Sequence, residues 1–228
     1  FAKGFHSLAS HHHVALIGGD TTRGPLSVTV SAKGTVAAKA AIRRSGAKVG
    51  DAIYVSGTLG AAALAVQQRL HQFHVPDEAL KICVQHMDYP QPRCELGIAL
   101  RGIANSALDL SDGLAGDLMH ILRASKVAAE IELSSLPIDS AVTQSVTPDQ
   151  ALQLALGGGD DYELCFTVPS EHEPQLEELA TALTLPLTRI GTITEGTPQI
   201  SWYHQGKSVE LHISGWEHFH HGEAGKTS

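Results

Sequence analysis

Ala107-Leu108-Asp109-Leu110-Ser111-Asp112-Gly113-Leu114 is the stretch that decides the fold class. Ala107 to Leu110 reads as a short strand, and Ser111-Asp112-Gly113 turns it. The helix beyond carries Leu114, Leu118, Ile121 and Leu122 at the spacing of one buried face. Ala129, Ile131 and Leu133 then alternate with Glu130 and Glu132, the period of a strand. Strand, helix and strand in succession predict a mixed α/β (α+β) protein.

The same alternation continues outward. Leu164 to Val168 and Ile190 to Ile193 read as strands, and Gln205-Gly206 as the turn of a hairpin. Ser170 and Glu173 predict a capping box for the helix holding Leu176, Leu179 and Leu183. Toward the amino terminus, Tyr89-Pro90-Gln91-Pro92-Arg93 separates two helical stretches because its prolines break a helix. Ile53 to Val55 is a strand that turns through Ser56-Gly57-Thr58 into a helix, with Thr58 as its expected N-cap. Residues 40–51 are small, basic and glycine-bearing, which places the main junction there. Phe1 to His13 reads as a helix end, Val14 to Ile17 as a short strand and Gly18 to Pro25 as a loop. Leu26, Val28 and Val30 alternate with Ser27, Thr29 and Ser31, the pattern of a half-buried strand. A start at Phe1, inside a helix and without methionine, reads as a fragment of a longer polypeptide.

The 228 residues are 43% hydrophobic and 18% charged, enough material for a sizeable core. No apolar run approaches the roughly 20 residues of a membrane helix, and no basic-then-apolar leader is present. The net charge of −8 is spread along the chain, without the basic stripe of a nucleic-acid binder. Neither a membrane nor a nucleic acid is therefore an expected partner. Cys83, Cys94 and Cys165 form no CxxC pair, the usage of a reduced, cytoplasmic protein with packing cysteines.

Three acidic groups share one design, a carboxylate on a glycine-bearing loop after a strand. They are Asp20 after Gly18-Gly19, Asp109 and Asp112 around Ser111, and Asp160 with Asp161 after Gly157-Gly158-Gly159. Glycine lets backbone N–H groups approach a ligand, helix starts favour phosphate oxygens, and carboxylates suit magnesium. Together they describe a magnesium–nucleotide site, with Arg44 in Arg43-Arg44-Ser45-Gly46 as the best phosphate-binding fork. Each also has a plainer reading. Asp20 can organise a turn, and Ser111 with Asp112 can be an N-cap and a first-turn acid. Asp160 with Asp161 can be a solvated pair, and Arg44 an exposed charge. Among the 14 histidines, His11-His12-His13 and His218, His220 and His221 suggest zinc or nickel. Consecutive helical histidines point in different directions, however, and do not chelate one ion.

Several segments, in order, resemble thiamine-monophosphate kinases: Leu16-Ile17-Gly18-Gly19-Asp20-Thr21-Thr22-Arg23-Gly24-Pro25, then Arg44-Ser45-Gly46-Ala47 with Gly50-Asp51, then Leu108 to Leu114, then Asp161-Tyr162-Glu163-Leu164, and last Gly215-Trp216-Glu217-His218-Phe219. The resemblance implies an aminoimidazole-ribonucleotide-synthetase-like two-domain fold and a homodimer. It implies transfer of the ATP γ-phosphoryl group to thiamine monophosphate, with several magnesium ions. Gly19, Asp20, Arg44 and Ser111 would contact ATP, and Asp20, Asp109 and Asp112 would hold metal. Asp160 and Trp216 would hold the thiamine moiety, Trp216 by stacking worth about 1–2 kcal/mol when desolvated. The implied domains are 1–38 as a remnant of an amino-terminal ATP-, metal-binding and dimerisation domain, 39–51 as a junction, 52–219 as a carboxy-terminal α/β domain, and 220–228 as a tail.

Two departures from the family accompany it. The family most often has glutamate where Asp160 stands, one methylene longer. Its amino-terminal Gly-Asp-Asp region is absent, so the fragment alone is expected to be inactive and the strand at Leu26 to Val30 unpaired. Two competing readings remain. One is another ATP-using enzyme of the superfamily, such as a ribonucleotide cyclase or selenophosphate synthetase. The other is a non-catalytic dimerisation or metal-binding module.

Overall fold

The computed structural model describes residues 1–211 and Ile213. The chain divides into two compact units, Phe1–Val36 and Ala37–Ser228.

The first unit holds one helix, α1 (Ala2–His11), followed by chain without regular structure. The expected strands at Val14 to Ile17 and Leu26 to Val30 are not formed. A strand exists by its ladder, and among the described residues no segment pairs with either. The alternation at Leu26, Val28 and Val30 therefore covers nothing, and Leu26 is 98% exposed rather than half-buried.

The second unit is built on seven strands: β1 (Ala52–Ser56), β2 (Ser106–Asp109), β3 (Ala128–Glu132), β4 (Leu164–Val168), β5 (Leu187–Thr194), β6 (Ile200–His204) and β7 (Lys207–Val209). They form one sheet in the order β2-β4-β1-β5-β3-β6-β7. All neighbours are antiparallel except β3 and β6. Helices α2 (Ala61–Arg69), α3 (Asp77–Asp88), α4 (Cys94–Ala99), α5 (Leu114–Ser125), α6 (Ser140–Thr143), α7 (Pro148–Gly157) and α8 (Glu173–Leu183) surround it.

Side chains alternate across the central strands and find helices on both sides. Ile53, Val55, Leu108 and Cys165 pack with Leu114, Leu118, Ile121 and Leu122 of α5. Tyr54, Ala107, Phe166 and Val168 face the other way, onto Leu96, Leu100 and Leu176 of α4 and α8. A further cluster joins Leu64, Cys83, Val142 and Leu154 of α2, α3, α6 and α7. Burial on both faces explains why β1 and β4 read as continuous apolar runs.

Helix starts depart from expectation. Ser170 to His172 form a 3₁₀ turn, and His172 precedes α8 without a side-chain cap. Glu173 is drawn away instead, accepting from Tyr54 Oη at 2.7 Å. The capping box stands at α7, where Thr147 and Gln150 bond reciprocally. Cys83 and Cys165 are buried, their thiols pushed up to about 11 and about 12 chiefly by desolvation. Cys94 is exposed, against its expected packing role.

Phe166 is fully buried between Tyr54 and the α4/α8 layer. Phe166→Ala should cost about 3–5 kcal/mol in urea unfolding; a loss below about 1 kcal/mol would mean this layer is not close-packed.

Candidate functional site

Two loops leave the sheet side by side. Asp109, at the end of β2, pairs with Leu164, at the start of β4. The ladder then continues past both strands. Leu110 N donates to Glu163 O at 2.8 Å, Tyr162 N to Leu110 O at 2.8 Å, and Asp160 N to Ser111 O at 3.0 Å. Glycine makes the approach possible. A Cβ on Gly159 would lie 2.4 Å from Ser111 O, and one on Gly113, whose φ is +106°, 2.9 Å from the Gly157 carbonyl carbon.

The zipped loops bring Asp109, Ser111, Asp112 and Asp160 together. Asp109 and Asp112 are exposed, while Ser111 and Asp160 are half-buried. Tyr162 stands among them and donates from Oη to Asp160 Oδ1 at 3.2 Å. Its phenol is raised by desolvation first and then by the charges of Asp160, Asp109 and Asp112. Asp160 and Tyr162 both hold positive φ, +68° and +50°, an uncommon backbone for such residues.

A ring of supporting groups fixes this arrangement. Asp117, in the first turn of α5 and buried, accepts from Ser111 N at 2.8 Å and Asp112 N at 2.9 Å. Desolvation raises its carboxyl and those two bonds pull it down. Asp161 accepts from Gly60 N through both oxygens, at 3.0 and 3.1 Å, where α2 begins. Burial pushes its carboxyl well above the usual range. Glu163 accepts from Ser56 Oγ at 2.5 Å and from Arg93 Nε at 2.7 Å, with a second bond to Arg93 Nη2.

The other expected site residues are not part of these loops. Gly19 and Asp20 belong to the first unit, where Asp20 Oδ1 accepts from Thr21 N at 2.7 Å. Arg44 is exposed, and its carbonyl accepts from Ser125 Oγ at the last residue of α5. Asp112 precedes the first residue of that helix, so the two positions are separated by its length, roughly 18 Å. Trp216 lies outside the described residues, with His218, His220 and His221.

Some local expectations are corrected. Gly113, not Ser111, is the N-cap of α5, and Asp112 precedes its first turn. Gly60, not Thr58, heads α2; Thr58 Oγ1 donates to Asp139 Oδ2 at 2.8 Å instead. Sequence reasoning missed Asp117, Arg93 and Ser56. An acid in the first turn after a glycine loop was the one available signal for Asp117. Arg93 and Glu163 are 70 residues apart, a separation with no periodicity to read.

Magnesium needs few protein ligands, because it keeps water and substrate phosphates around it. Among the described residues no three His, Cys, Asp or Glu side chains are grouped closely enough to hold an ion by themselves. Asp109 and Asp112, exposed oxygen donors on one loop, fit a cation shared with phosphate rather than a closed protein cage. No helix among the described residues is long and apolar enough to cross a membrane.

The family described as "AIR synthase related protein, C-terminal domain" matches residues 48–203. Thiamine-monophosphate kinase from Escherichia coli (strain K12) is 45% identical over 221 residues, covering 96% of this chain and 68% of that protein. The chain belongs to the thiamine-monophosphate kinase family. It is thereby a kinase, with the fold of the aminoimidazole-ribonucleotide-synthetase-like superfamily. The crystal structure of thiamine-monophosphate kinase from Stenotrophomonas maltophilia K279a is 44% identical with a TM-score of 0.84, covering 92% of this chain and 67% of that one. AaThiL complexed with AMPPCP and TMP is 31% identical with a TM-score of 0.64, covering 78% and 54%.

Removing one partner of a buried ion pair strands the other. Arg93, whose side chain is 22% exposed, retains some solvent, so Arg93→Met should cost about 3 kcal/mol in denaturant unfolding. Adding Glu163→Gln should recover part of the loss; a double variant no better than the single would remove Glu163 as the cause.

Asp161 supplies a pH dependence. In the unfolded chain its carboxyl ionises near pH 4, whereas the folded protein holds the proton to higher pH. Its contribution is therefore complete below about pH 4 and is lost as pH rises through the raised folded value. Asp161→Asn should gain stability relative to the parent between about pH 4 and pH 8 in metal-free buffer. Parallel stability curves for the two proteins would contradict this.

Proposed function

We propose that this chain, joined to the amino-terminal region its family carries, transfers the γ-phosphoryl group of ATP to the phosphate of thiamine monophosphate, giving thiamine diphosphate and ADP. The observation that carries this reading is the pair of zipped loops presenting Asp109, Ser111, Asp112 and Asp160 at one edge of the sheet. The relative complexed with both AMPPCP and TMP supports it.

In the step, an oxygen of the substrate phosphate bonds to the γ-phosphorus as the bond to the β-bridging oxygen breaks. The electron pair leaves with ADP. A phosphate monoester loses its second proton near pH 6, so the attacking oxygen needs no base from the protein. The chain's task is to position the reactants and offset charge.

Ser111 and Arg44 contact ATP in this reading, together with Gly19 and Asp20. The roughly 18 Å between Arg44 and Asp112 suits opposite parts of one extended nucleotide. Asp20, Asp109 and Asp112 hold magnesium, which when bound offsets phosphate charge. Asp160 and Trp216 hold the thiamine moiety. Asp117 acts through others, holding the Ser111 and Asp112 amides in place. Residues 1–38 serve ATP, metal binding and pairing in a homodimer, and 52–219 form the carboxy-terminal domain. Unpaired cysteines fit the cytoplasm.

The test follows thiamine diphosphate by chromatography after magnesium, ATP and thiamine monophosphate meet this chain joined to the amino-terminal region its family carries. Product is expected, with kcat reduced about 10²-fold or more in Asp112→Asn. ATP binding without product would overturn the substrate and leave another ATP-using enzyme of the superfamily.

A further inference from the structure

One hydroxyl spends its whole hydrogen-bonding capacity on the loop that carries Arg44. Ser125 Oγ accepts from Gly46 N at 3.1 Å and from Ala47 N at 3.2 Å, and donates to Arg44 O at 3.3 Å. A hydroxyl has one proton to give and two lone pairs to fill, so nothing of it is left over. Ser125 is the last residue of α5, and these partners lie 78 to 81 residues away in sequence.

The rest of the loop is pinned as well. Arg43 O accepts from Ala107 N of β2 at 3.1 Å. A Cβ on Gly46 would lie 2.3 Å from Asn105 O, so the chain runs tight against that carbonyl. Lys48 N donates to Asp51 Oδ2 at 2.9 Å. The Arg44 guanidinium is the exception: it is exposed and makes no bond among the described residues. A fixed backbone limits where that fork can reach, which lowers the ordering cost of an anion contact. Helix α5 is tied at both ends. Asp117 in its first turn holds the Ser111 and Asp112 amides, and Ser125 at its end holds the Arg44 loop. One stiff helix therefore sets the separation of the two loops. The fold itself depends little on the second tie. Arg44 and Gly46 are exposed, so water replaces the hydroxyl at both when it is removed.

We infer that Ser125 is a positioning residue for the nucleotide, acting through Arg44 by holding its guanidinium where a phosphate of ATP meets it. The inference rests on the reading in which Arg44 contacts ATP.

The test uses this chain joined to the amino-terminal region its family carries. Ser125→Ala should raise KM for ATP about tenfold, with KM for thiamine monophosphate and Tm close to the parent. Ser125→Thr, which keeps the hydroxyl, should restore the parent value. In an Arg44→Met background the same Ser125→Ala change should add less than about twofold, because a residue acting through Arg44 has nothing left to position. An unchanged KM for ATP in Ser125→Ala, or an equal factor in both backgrounds, would overturn the inference and leave the kinase reading intact. A parent-like KM for ATP in Arg44→Met would remove the nucleotide role of Arg44 and the inference with it. Failure of the parent to form thiamine diphosphate would instead remove the kinase reading. Calorimetry with the ATP analogue AMPPCP then decides. Binding weakened in Ser125→Ala but not in Ser125→Thr upholds the positioning role, and binding equal in all three, or absent in the parent, overturns it.

Discussion

Burying the Glu163 carboxylate is the constraint on which the rest of the site depends. It is 3% exposed, and an unpaired charge there would cost several kcal/mol. Its partners come from distant places: Ser56 at the end of β1, and Arg93 at the entrance to α4. Its own carbonyl takes the Leu110 amide, so the same residue also fixes the loop after β2. Glu163 thus ties three segments of chain to the start of β4, two through its carboxylate and one through its carbonyl. The acidic loops inherit their positions from that knot.

Charge is graded outward from this knot. Glu163 is neutralised by a guanidinium, and Asp161 is held by the first amide of α2. Asp117 is spent on two loop amides. Asp109, Asp112 and Asp160, by contrast, crowd Tyr162 and raise its phenol. Carboxylates of the inner kind are spent on bonds that hold the fold; those of the outer kind stand where Asp109 and Asp112 are exposed and Asp160 is half-buried. The positive φ of Asp160 and Tyr162 marks the boundary, where backbone strain is held by bonds on either side.

A cavity between α2 and α7 shares its glycine wall with these loops. One short run, Gly157 to Tyr162, therefore borders both an amide-lined space and an acidic edge. The absence of side chains at Gly157 and Gly158 keeps the two compartments thin-walled.

The sequence by itself determined the mixed α/β class, the strand of Leu164 to Val168, the α5 face of Leu114, Leu118, Ile121 and Leu122, and the clustering of acids on glycine loops. Those features follow from periodicity and from glycine's backbone freedom, which act over a few residues. Tertiary structure decided which acid does what. Thr58 looked like a cap, yet the amide at the start of α2 is met by Asp161, 101 residues away. Ser170 and Glu173 matched a capping box, but a phenol across the sheet draws Glu173 off. Leu26 to Val30 alternated like a strand, although alternation makes a strand only where a neighbour supplies the ladder. Arg93 carried no distinct signal, and Asp117 only that of a first-turn acid, because burial sets their roles, and burial belongs to the assembled fold.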